Sequence, residues 1–398
     1  MKKAIAVLTV IVFIILLSSS CSKEKKREPS QWKGTIEEEN GVKVVKNPVE
    51  PIYGEISLEL EEDLSIGNEE DENYMFYRVS EINVNSNGNI FVLDTGNQRI
   101  QKFDRDGSYL QTIGRKGQGP GEFERPYDMF FDNQNNIFVS EGRKIQIFTH
   151  QGEFVKSFVL PIFFLDFIVN SEGNIIASGF IRAEKGQNYG VVIIDSAGKI
   201  TENICEYPGI SIVARKGAGF SFSHSYTPIL CFSHLAGKGI IYGFSTEYKL
   251  YLIDEEGKNF LIIKKDEPFH SIDRKEKDKI VNDVIESTAR EGRQWPKDVV
   301  EEGANFPQYR PFFSTIFSDD RGRIYARKLK SVLDQSKEIE CDIFSQDGYY
   351  LYTTNLPFIP EIIKDGFLYD IFTPEETGEV RIKRYKISNW TDIKDTIY

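Results

Sequence analysis

Few residues in this chain are suited to metal or redox chemistry. Its 398 residues include four cysteines and four histidines, His150, His224, His234 and His270. A protein zinc site needs three or four ligands at characteristic spacings. His224, Cys231 and His234 form one conceivable group, but their spacing matches no zinc signature. We therefore expect no metal site and no cofactor.

Sequence signatures of common catalytic sites are also missing. The chain has no Gly-x-Ser-x-Gly nucleophile elbow, no Walker loop and no His-Glu-x-x-His motif. Residues 117–121 are rich in glycine, but Pro120 removes an N–H group and no helix is predicted to follow, which excludes a phosphate loop. The formal net charge of -12 argues against nucleic acid as a partner, because such a chain repels phosphate.

Arginine side chains offer another chemistry, the recognition of carboxylates through a planar, bidentate fork. Four arginines follow predicted second strands of a repeat, and we expect them to approach one face as a basic mouth. They are Arg99, Arg143, Arg182 and Arg327. The alternative for Arg99 is a purely structural contact with Asp94.

Aromatic and small residues alternate between positions 217 and 226. The ring-bearing positions there are Phe220, Phe222, His224 and Tyr226. Exposed rings offer stacking faces to a sugar or a peptide, so these four residues are predicted ligand contacts. The alternative is a strand whose aromatic side chains are buried against a neighbouring blade.

The N-terminal segment carries a cysteine in a modifiable context. Lys2 and Lys3 precede an apolar run at 4–17, which is shorter than the roughly 20 residues of a bilayer span and is typical of a signal peptide. The following LSSSC at 17–21 resembles the lipobox of bacterial lipoproteins. This resemblance implies that Cys21 is lipidated and becomes the mature N-terminus.

Residues 1–21 are thus predicted to be a lipoprotein signal peptide, and the charged residues 22–41 a flexible tether. The serine after Cys21 resembles the sorting signal of outer-membrane lipoproteins, so we expect an outer-membrane lipoprotein, periplasmic or surface-facing, that contacts the membrane through its lipid only. Processing would bring the net charge to -14. Three further thiols remain, and Cys205 with Cys231 is their nearest possible disulfide, with Cys341 left over.

A repeat organises the rest of the chain and must position these residues. Its first copy is NGNIFV at 87–92, and related segments begin near positions 135, 172, 237, 321 and 365. After one more strand, most copies reach a second Gly-containing turn, so each unit has four strands. Six such units predict an all-β fold, a six-bladed β-propeller at 42–398.

The ends of the repeat array predict how the ring closes. The last unit has three strands before the chain ends, whereas residues 56–67 precede the first unit and match the fourth strand at 107–114. We expect this N-terminal strand to complete the last blade, because closure removes exposed sheet edges.

The first units also carry a family signature. DTGNQRIQKFD at 94–104, followed by GRKGQGPGEF at 114–123, resembles the NHL repeat. Over about 42–390 the chain resembles the six-bladed β-propeller lipoproteins of Bacteroidota-like genomes, most of which have no assigned activity. That resemblance implies the fold and the envelope location. Similar propellers also include metal-dependent lyases and lactonases.

Two long insertions follow fourth strands and should therefore rise from one face. They occupy 205–234, between blades 3 and 4, and 265–310, between blades 4 and 5. The second is predicted to be helical, because Asp273 and Glu276 form a capping box and apolar residues follow at helical spacing over 280–285. It is either a rim element or a lid over a pocket.

These observations together predict a non-catalytic, monomeric envelope lipoprotein. Its insertion-bearing face would bind a protein, peptide or glycan, since loops on a rigid scaffold commonly carry binding function. The alternative is a metal-dependent lyase or lactonase of the propeller type, which the scattered histidines disfavour.

Overall fold

The structure, a computed structural model, describes residues 32–182, 187–209, 213–215, 218–236 and 238–397. Six β-sheets follow one another along the chain and form a ring, which confirms the predicted six-bladed β-propeller. The signal peptide, Cys21 and the first ten residues of the predicted tether lie outside the described residues.

The first strands of the chain precede the first complete blade. These are β1 (Thr35–Glu39), β2 (Val42–Asn47) and β3 (Leu60–Ile66). Blades 1 to 3 are four-stranded antiparallel sheets built from consecutive strands. Blade 1 contains β4 (Val79–Val84), β5 (Ile90–Asp94), β6 (Arg99–Phe103) and β7 (Tyr109–Ile113). Blade 2 contains β8 (Asp128–Phe131), β9 (Ile137–Glu141), β10 (Lys144–Phe148) and β11 (Phe154–Val159). Blade 3 contains β12 (Phe163–Val169), β13 (Ile175–Arg182), β14 (Gln187–Ile194) and β15 (Ile200–Tyr207).

The remaining blades carry the insertions and the closure. The first insertion contains a short hairpin of β16 (Val213–Arg215) and β17 (Ala218–Phe220). Blade 4 contains β18 (Leu230–Leu235), β19 (Gly239–Phe244), β20 (Lys249–Ile253) and β21 (Asn259–Lys265). The second insertion contains α1 (Arg274–Arg290) and α2 (Lys297–Ala304). Blade 5 contains β22 (Phe313–Ser318), β23 (Ile324–Lys328), β24 (Ile339–Phe344) and β25 (Tyr350–Leu356). Blade 6 contains β26 (Ile362–Lys364), β27 (Phe367–Phe372), β28 (Arg381–Ile387) and, from the N-terminal segment, β3.

Glycine turns join the strands and let neighbouring blades approach. Gly88 and Gly107 have φ angles of 79° and 83°, in the left-handed region that glycine adopts without steric cost. A Cβ on Gly107 would lie 2.9 Å from Leu64 Cδ1 of blade 6. The turn between the third and fourth strands of blade 1 therefore packs directly on the outer strand of the preceding blade.

The ring closes as the sequence predicts. β3 pairs antiparallel with β28, from Ile66 opposite Ile382 to Leu60 opposite Ile387. Arg384 and Asp63 form an ion pair across this junction at 2.9 Å. Ile66 is buried in a cluster that joins blade 6 to blade 1. The N-terminal strand thus supplies both backbone hydrogen bonds and core packing.

The predicted tether ends earlier than expected, which corrects its assignment as flexible up to residue 41. β1 and β2 form a hairpin, and β2 pairs in parallel with β21, extending blade 4 to six strands. Val44 and Val45 are buried, and Glu39 accepts hydrogen bonds from Lys249 and Lys264. Those lysines lower the pKa of Glu39 to about 2. A charged stretch folds here because partners distant in sequence neutralise its charges.

The closing strand gives a stability prediction. Replacing Ile66 with Ala should lower the free energy of unfolding by about 2–4 kcal/mol, because it removes buried methyl groups and leaves a cavity at the closure. Ser65→Ala, an exposed change on the same strand, should cost less than about 0.5 kcal/mol. Urea unfolding compares the two, and equal midpoints would contradict this account of the junction.

Candidate functional site

The two insertions pack together into a cap on one face of the ring. Asp273 accepts a hydrogen bond from the Glu276 N–H, and the Glu276 side chain accepts one from the Asp273 N–H, which confirms the predicted capping box. Ile280, Val281 and Val284 are buried on the inner side of α1. The residues that oppose α1 and α2 come from the first insertion and from the loop between β23 and β24.

One carboxylate holds these segments together. Glu276 Oε1 accepts hydrogen bonds from the Tyr226 hydroxyl at 2.7 Å, Arg310 Nη2 at 2.9 Å and Ser331 Oγ at 2.6 Å. The Tyr226 hydroxyl also accepts the Val332 N–H at 2.8 Å. Burial alone would raise the pKa of Glu276, but the donors from Ser331 and Tyr226 outweigh it and hold this pKa below its usual range.

His224 and Phe222 also serve this internal packing. His224 Nε2 is 2.7 Å from the Ala304 carbonyl oxygen, and Nδ1 accepts the Tyr226 N–H at 3.1 Å. Burial lowers the pKa of His224, which favours the neutral ring that these two contacts require. The Phe222 ring meets Trp295 edge-on, with ring centroids 5.4 Å apart.

These contacts replace the stacking role predicted for the first insertion. Tyr226 is fully buried and its hydroxyl is engaged on both sides. The rings of Phe222 and His224 pack against the second insertion. Packing the two insertions together removes more apolar surface from water than leaving either one solvated. Phe220 ends β17, and its side chain lies outside what the structure describes.

The four predicted arginines do not form one basic mouth. Arg99 is held by Asp94 at 3.3 Å and by the carbonyl oxygens of Glu72 and Met75, which is the structural alternative. Arg143 Nε donates to the Leu160 carbonyl oxygen at 2.9 Å. Arg182 is exposed at the end of β13 and Arg327 is half-buried on β23. Arg143, Arg182 and Arg327 belong to second strands or the loops after them, and Arg99 opens a third strand, so all four stand away from the axis.

The axis of the ring contains a cavity of about 770 Å³. Its walls are the first strands of the blades and the turns that follow them, including Phe130, Phe167, Phe232 and Phe317. Asn135 and Asp320 in these turns show that the cavity extends toward the face opposite the insertions. Among the described residues, no wall comes from 266–312, so the helices are a rim element rather than a lid over this cavity.

Four carboxylates converge on the cavity. Glu81, Asp128 and Asp166 occupy the same register in the first strands of blades 1 to 3, opposite Leu93, Ser140 and Ser178. Glu361 joins them from blade 6. Asp128 Oδ1 accepts the Met129 N–H at 2.7 Å, whereas its Oδ2 has no hydrogen-bond partner in the described chain.

Partial burial in the cavity wall shifts the titration of three of these carboxylates. Burial raises the pKa of Asp128 to about 7. Burial and repulsion from Asp128 also raise the pKa values of Glu81 and Asp166 well above the usual range. Carboxyl groups of this kind can exchange protons near neutral pH or meet a cationic group.

The residues considered for metal binding do not come together. His224 lies in the cap, whereas His234 lies in the wall of the axial cavity. In the part of the chain that the structure describes, no group of three or more His, Cys, Asp or Glu side chains could hold a metal ion. Cys205, Cys231 and Cys341 are free thiols, and burial raises the pKa of each to about 12.

The axial carboxylates are not among the residues predicted from the sequence, although the sequence contains a signal for them. Glu81, Asp128 and Asp166 each stand nine residues before the isoleucine that opens the second strand of their blade. Because the repeat fixes which residues of each first strand face the axis, an acid recurring at one register indicates convergence.

Comparison with known proteins gives the family. Residues 69–395 match the profile of a domain of unknown function (DUF4934). The chain belongs to this family. An 87-residue part of this DUF4934 chain is 33% identical to Protein brain tumor of Drosophila melanogaster, and the match covers 21% of the chain and 8% of that protein.

A solved structure similar to this DUF4934 chain shares its fold. A predicted exported protein of Bacteroides fragilis matches with a TM-score of 0.52 and 13% identity, over 87% of this chain and 99% of that one. A DUF4221 family member from Bacteroides vulgatus gives a TM-score of 0.48 and 12% identity, over 83% and 98% of the two chains. Neither described helix of the DUF4934 chain is long and apolar enough to cross a bilayer.

The Glu276 network predicts how the cap is stabilised. Tyr226→Phe should lower the free energy of unfolding by about 1–3 kcal/mol and expose the segment 266–312 to protease, because the buried Glu276 and Val332 groups lose a partner. Limited proteolysis and thermal unfolding measure both effects. Tyr309→Phe, at an exposed position in the same insertion, is the matched control and should change neither.

The axial carboxylates predict a pH dependence. The unfolded chain releases the Asp128 proton near pH 4 and the folded chain near 7, so unfolding releases a proton and stability falls as the pH rises between those values. Asp128→Asn should therefore raise the free energy of unfolding at pH 8 by about 1–2 kcal/mol, since cavity water screens part of the effect, and by less at pH 5. Urea titrations at both pH values test this, with the exposed Asp106→Asn as control. An equal gain at both pH values would contradict it.

Proposed function

We propose that this chain is an envelope-anchored, non-catalytic binding module whose insertion-bearing face binds a protein, peptide or glycan. One observation carries the proposal. Of the thirteen large hydrophobic side chains that are exposed among the described residues, nine belong to the loops, insertions and strand ends of that face. These nine are Met75, Tyr77, Tyr127, Val159, Phe163, Phe269, Tyr309, Leu333 and Phe372.

An uneven distribution of this kind is unusual for a surface that meets only water. Single exposed apolar residues are ordinary, whereas their concentration on one side of a domain marks binding surfaces. Tyr77 exposes 75% of its surface and Phe269 exposes 60%. The opposite face has short turns built from Gly, Asn and Asp.

The proposed location of the module in the cell envelope rests on the N-terminal segment. The signal peptide at 1–21 and the lipobox-like Cys21 support export and lipidation, and the serine that follows supports the outer membrane. The NHL-like signature of the first two blades supports a scaffold of the NHL type. In this proposal the chain is a monomer, and its lipid anchor leaves both faces of the propeller accessible to partners.

A propeller enzyme is the second candidate, and a different observation favours it. Asp128 has a pKa of about 7 beside a cavity of about 770 Å³, which is the size of a small-molecule site. A carboxyl group with such a pKa is suited to general acid-base catalysis. The metal-dependent lyase and lactonase chemistry of similar propellers would require ligands that the described residues do not bring together.

Crosslinking with mass spectrometry on intact cells tests the binding proposal. Crosslinks to partner molecules should form through Lys116 and Lys330, which lie in loops of the insertion-bearing face. Lys199 and Lys258, in turns of the opposite face, serve as internal controls and should stay unlinked. Partners linked mainly through Lys199 and Lys258 would overturn the proposal.

A further inference from the structure

A small basic and aromatic patch lies on the insertion-bearing face where blade 2 meets blade 3. It consists of Arg125 and Tyr127 before β8, Gly142 and Arg143 after β9, and Phe163 at the start of β12. Tyr127 exposes 56% of its surface and Phe163 exposes 51%. Both arginines are exposed as well.

Backbone hydrogen bonds make this patch continuous. The Tyr127 N–H donates to the Ser140 carbonyl oxygen at 2.9 Å, and the Arg125 N–H donates to Glu141 Oε1 at 3.2 Å. Segment 124–127 therefore lies along the end of β9. A Cβ on Gly142 would be 3.5 Å from Phe163 Cε2, so the Phe163 ring covers the loop that carries Arg143.

The positive charge of the patch is not neutralised by its neighbours. Glu141, at the end of β9, is almost fully buried and accepts Lys144 at 3.1 Å together with backbone donors. The exposed Glu124 accepts a hydrogen bond from Gln118 Nε2 at 2.7 Å. The Arg143 guanidinium group donates a hydrogen bond through Nε only, to the Leu160 carbonyl oxygen. Among the described residues, neither Arg125 nor Arg143 forms an ion pair. Two exposed guanidinium groups that form no ion pair with the described residues are notable on a chain with a net charge of -12.

From this arrangement we infer that the patch binds a carboxylate-bearing sugar, as found in an acidic polysaccharide. The inference rests on the proposed function and specifies its ligand. The Tyr127 and Phe163 rings offer flat faces to sugar rings, and Arg125 and Arg143 offer bidentate forks to the carboxylates. Tyr127 also lines the axial cavity, so the patch is continuous with the wall of that cavity.

The size of the patch favours a sugar over an acidic protein. A stable protein interface covers roughly 20–30 residues on each side. A partner of that size would also approach the loop before blade 1, where Glu69, Glu70, Asp71 and Glu72 are clustered. A chain of uronic acids needs only the few residues that the patch supplies.

Isothermal titration of the processed chain, residues 22–398, with polygalacturonate tests the inference, and neutral dextran is the reference ligand. We expect polygalacturonate to bind at least ten-fold more tightly than dextran, with an affinity that falls as salt rises. The double variant Arg125→Ala with Arg143→Ala should weaken polygalacturonate binding at least ten-fold. Tyr127→Ala with Phe163→Ala should weaken it to a similar extent.

Matched controls separate a lost contact from a lost fold. Arg105→Ala removes an exposed arginine from a turn on the opposite face and should leave binding unchanged. Arg143→Lys keeps the charge without the fork and should show an intermediate affinity with the same thermal midpoint as the parent chain.

Three results would overturn the inference. One is polygalacturonate binding no tighter than dextran, and another is the same affinity in the double arginine variant and in Arg105→Ala. Binding of an acidic peptide such as polyglutamate in preference to polygalacturonate would also overturn it. In each case crosslinks confined to Lys116 and Lys330 would leave the proposed function standing, whereas crosslinks through the opposite face would overturn that function independently.

Discussion

The pairing of β3 with β28 is the interaction on which the rest of this structure depends. It joins segments more than 300 residues apart and converts a row of β-sheets into a ring. An open row would expose two sheet edges and the apolar faces of its end blades. Because the ring is closed, every blade buries both faces against neighbours, and the first strands are forced toward a common axis.

Closure also creates the electrostatic character of the axis. Glu81, Asp128 and Asp166 are separated along the chain by almost forty residues or more, yet the ring places them around one cavity. Burial raises their pKa values, and repulsion from Asp128 adds to this effect at Glu81 and Asp166. The molecule therefore concentrates acids on its axis, while exposed arginines and aromatic rings stand on the insertion-bearing face.

The cap shows how polar contacts fix a loop region that has little core of its own. A single buried carboxylate, Glu276, satisfies four donors from three segments. Such a network specifies one arrangement, because any other would leave a buried charge without partners. As a result, Tyr226 and His224 have structural roles, and the rings that stay exposed on this face include those of Tyr127 and Phe163.

The sequence by itself determined the features that local rules control. Alternating strands, Gly and Asp turns and a six-fold repeat established the number of blades, and the unequal ends of the array established the closure. Asp273 and Glu276 marked the start of α1 because a capping box requires only residues three apart.

Only the tertiary structure decided which side chains meet. It buried Tyr226, separated the four arginines, gathered the axial acids and ordered β1 and β2 against lysines of blade 4. The physical reason is that burial and ion pairing depend on distances across the ring, and closure sets those distances between residues that the sequence keeps far apart. The axial acids nevertheless have a signal in the sequence, which is their constant nine-residue spacing from the start of the second strand. This spacing indicates convergence only once the direction of the axis is known.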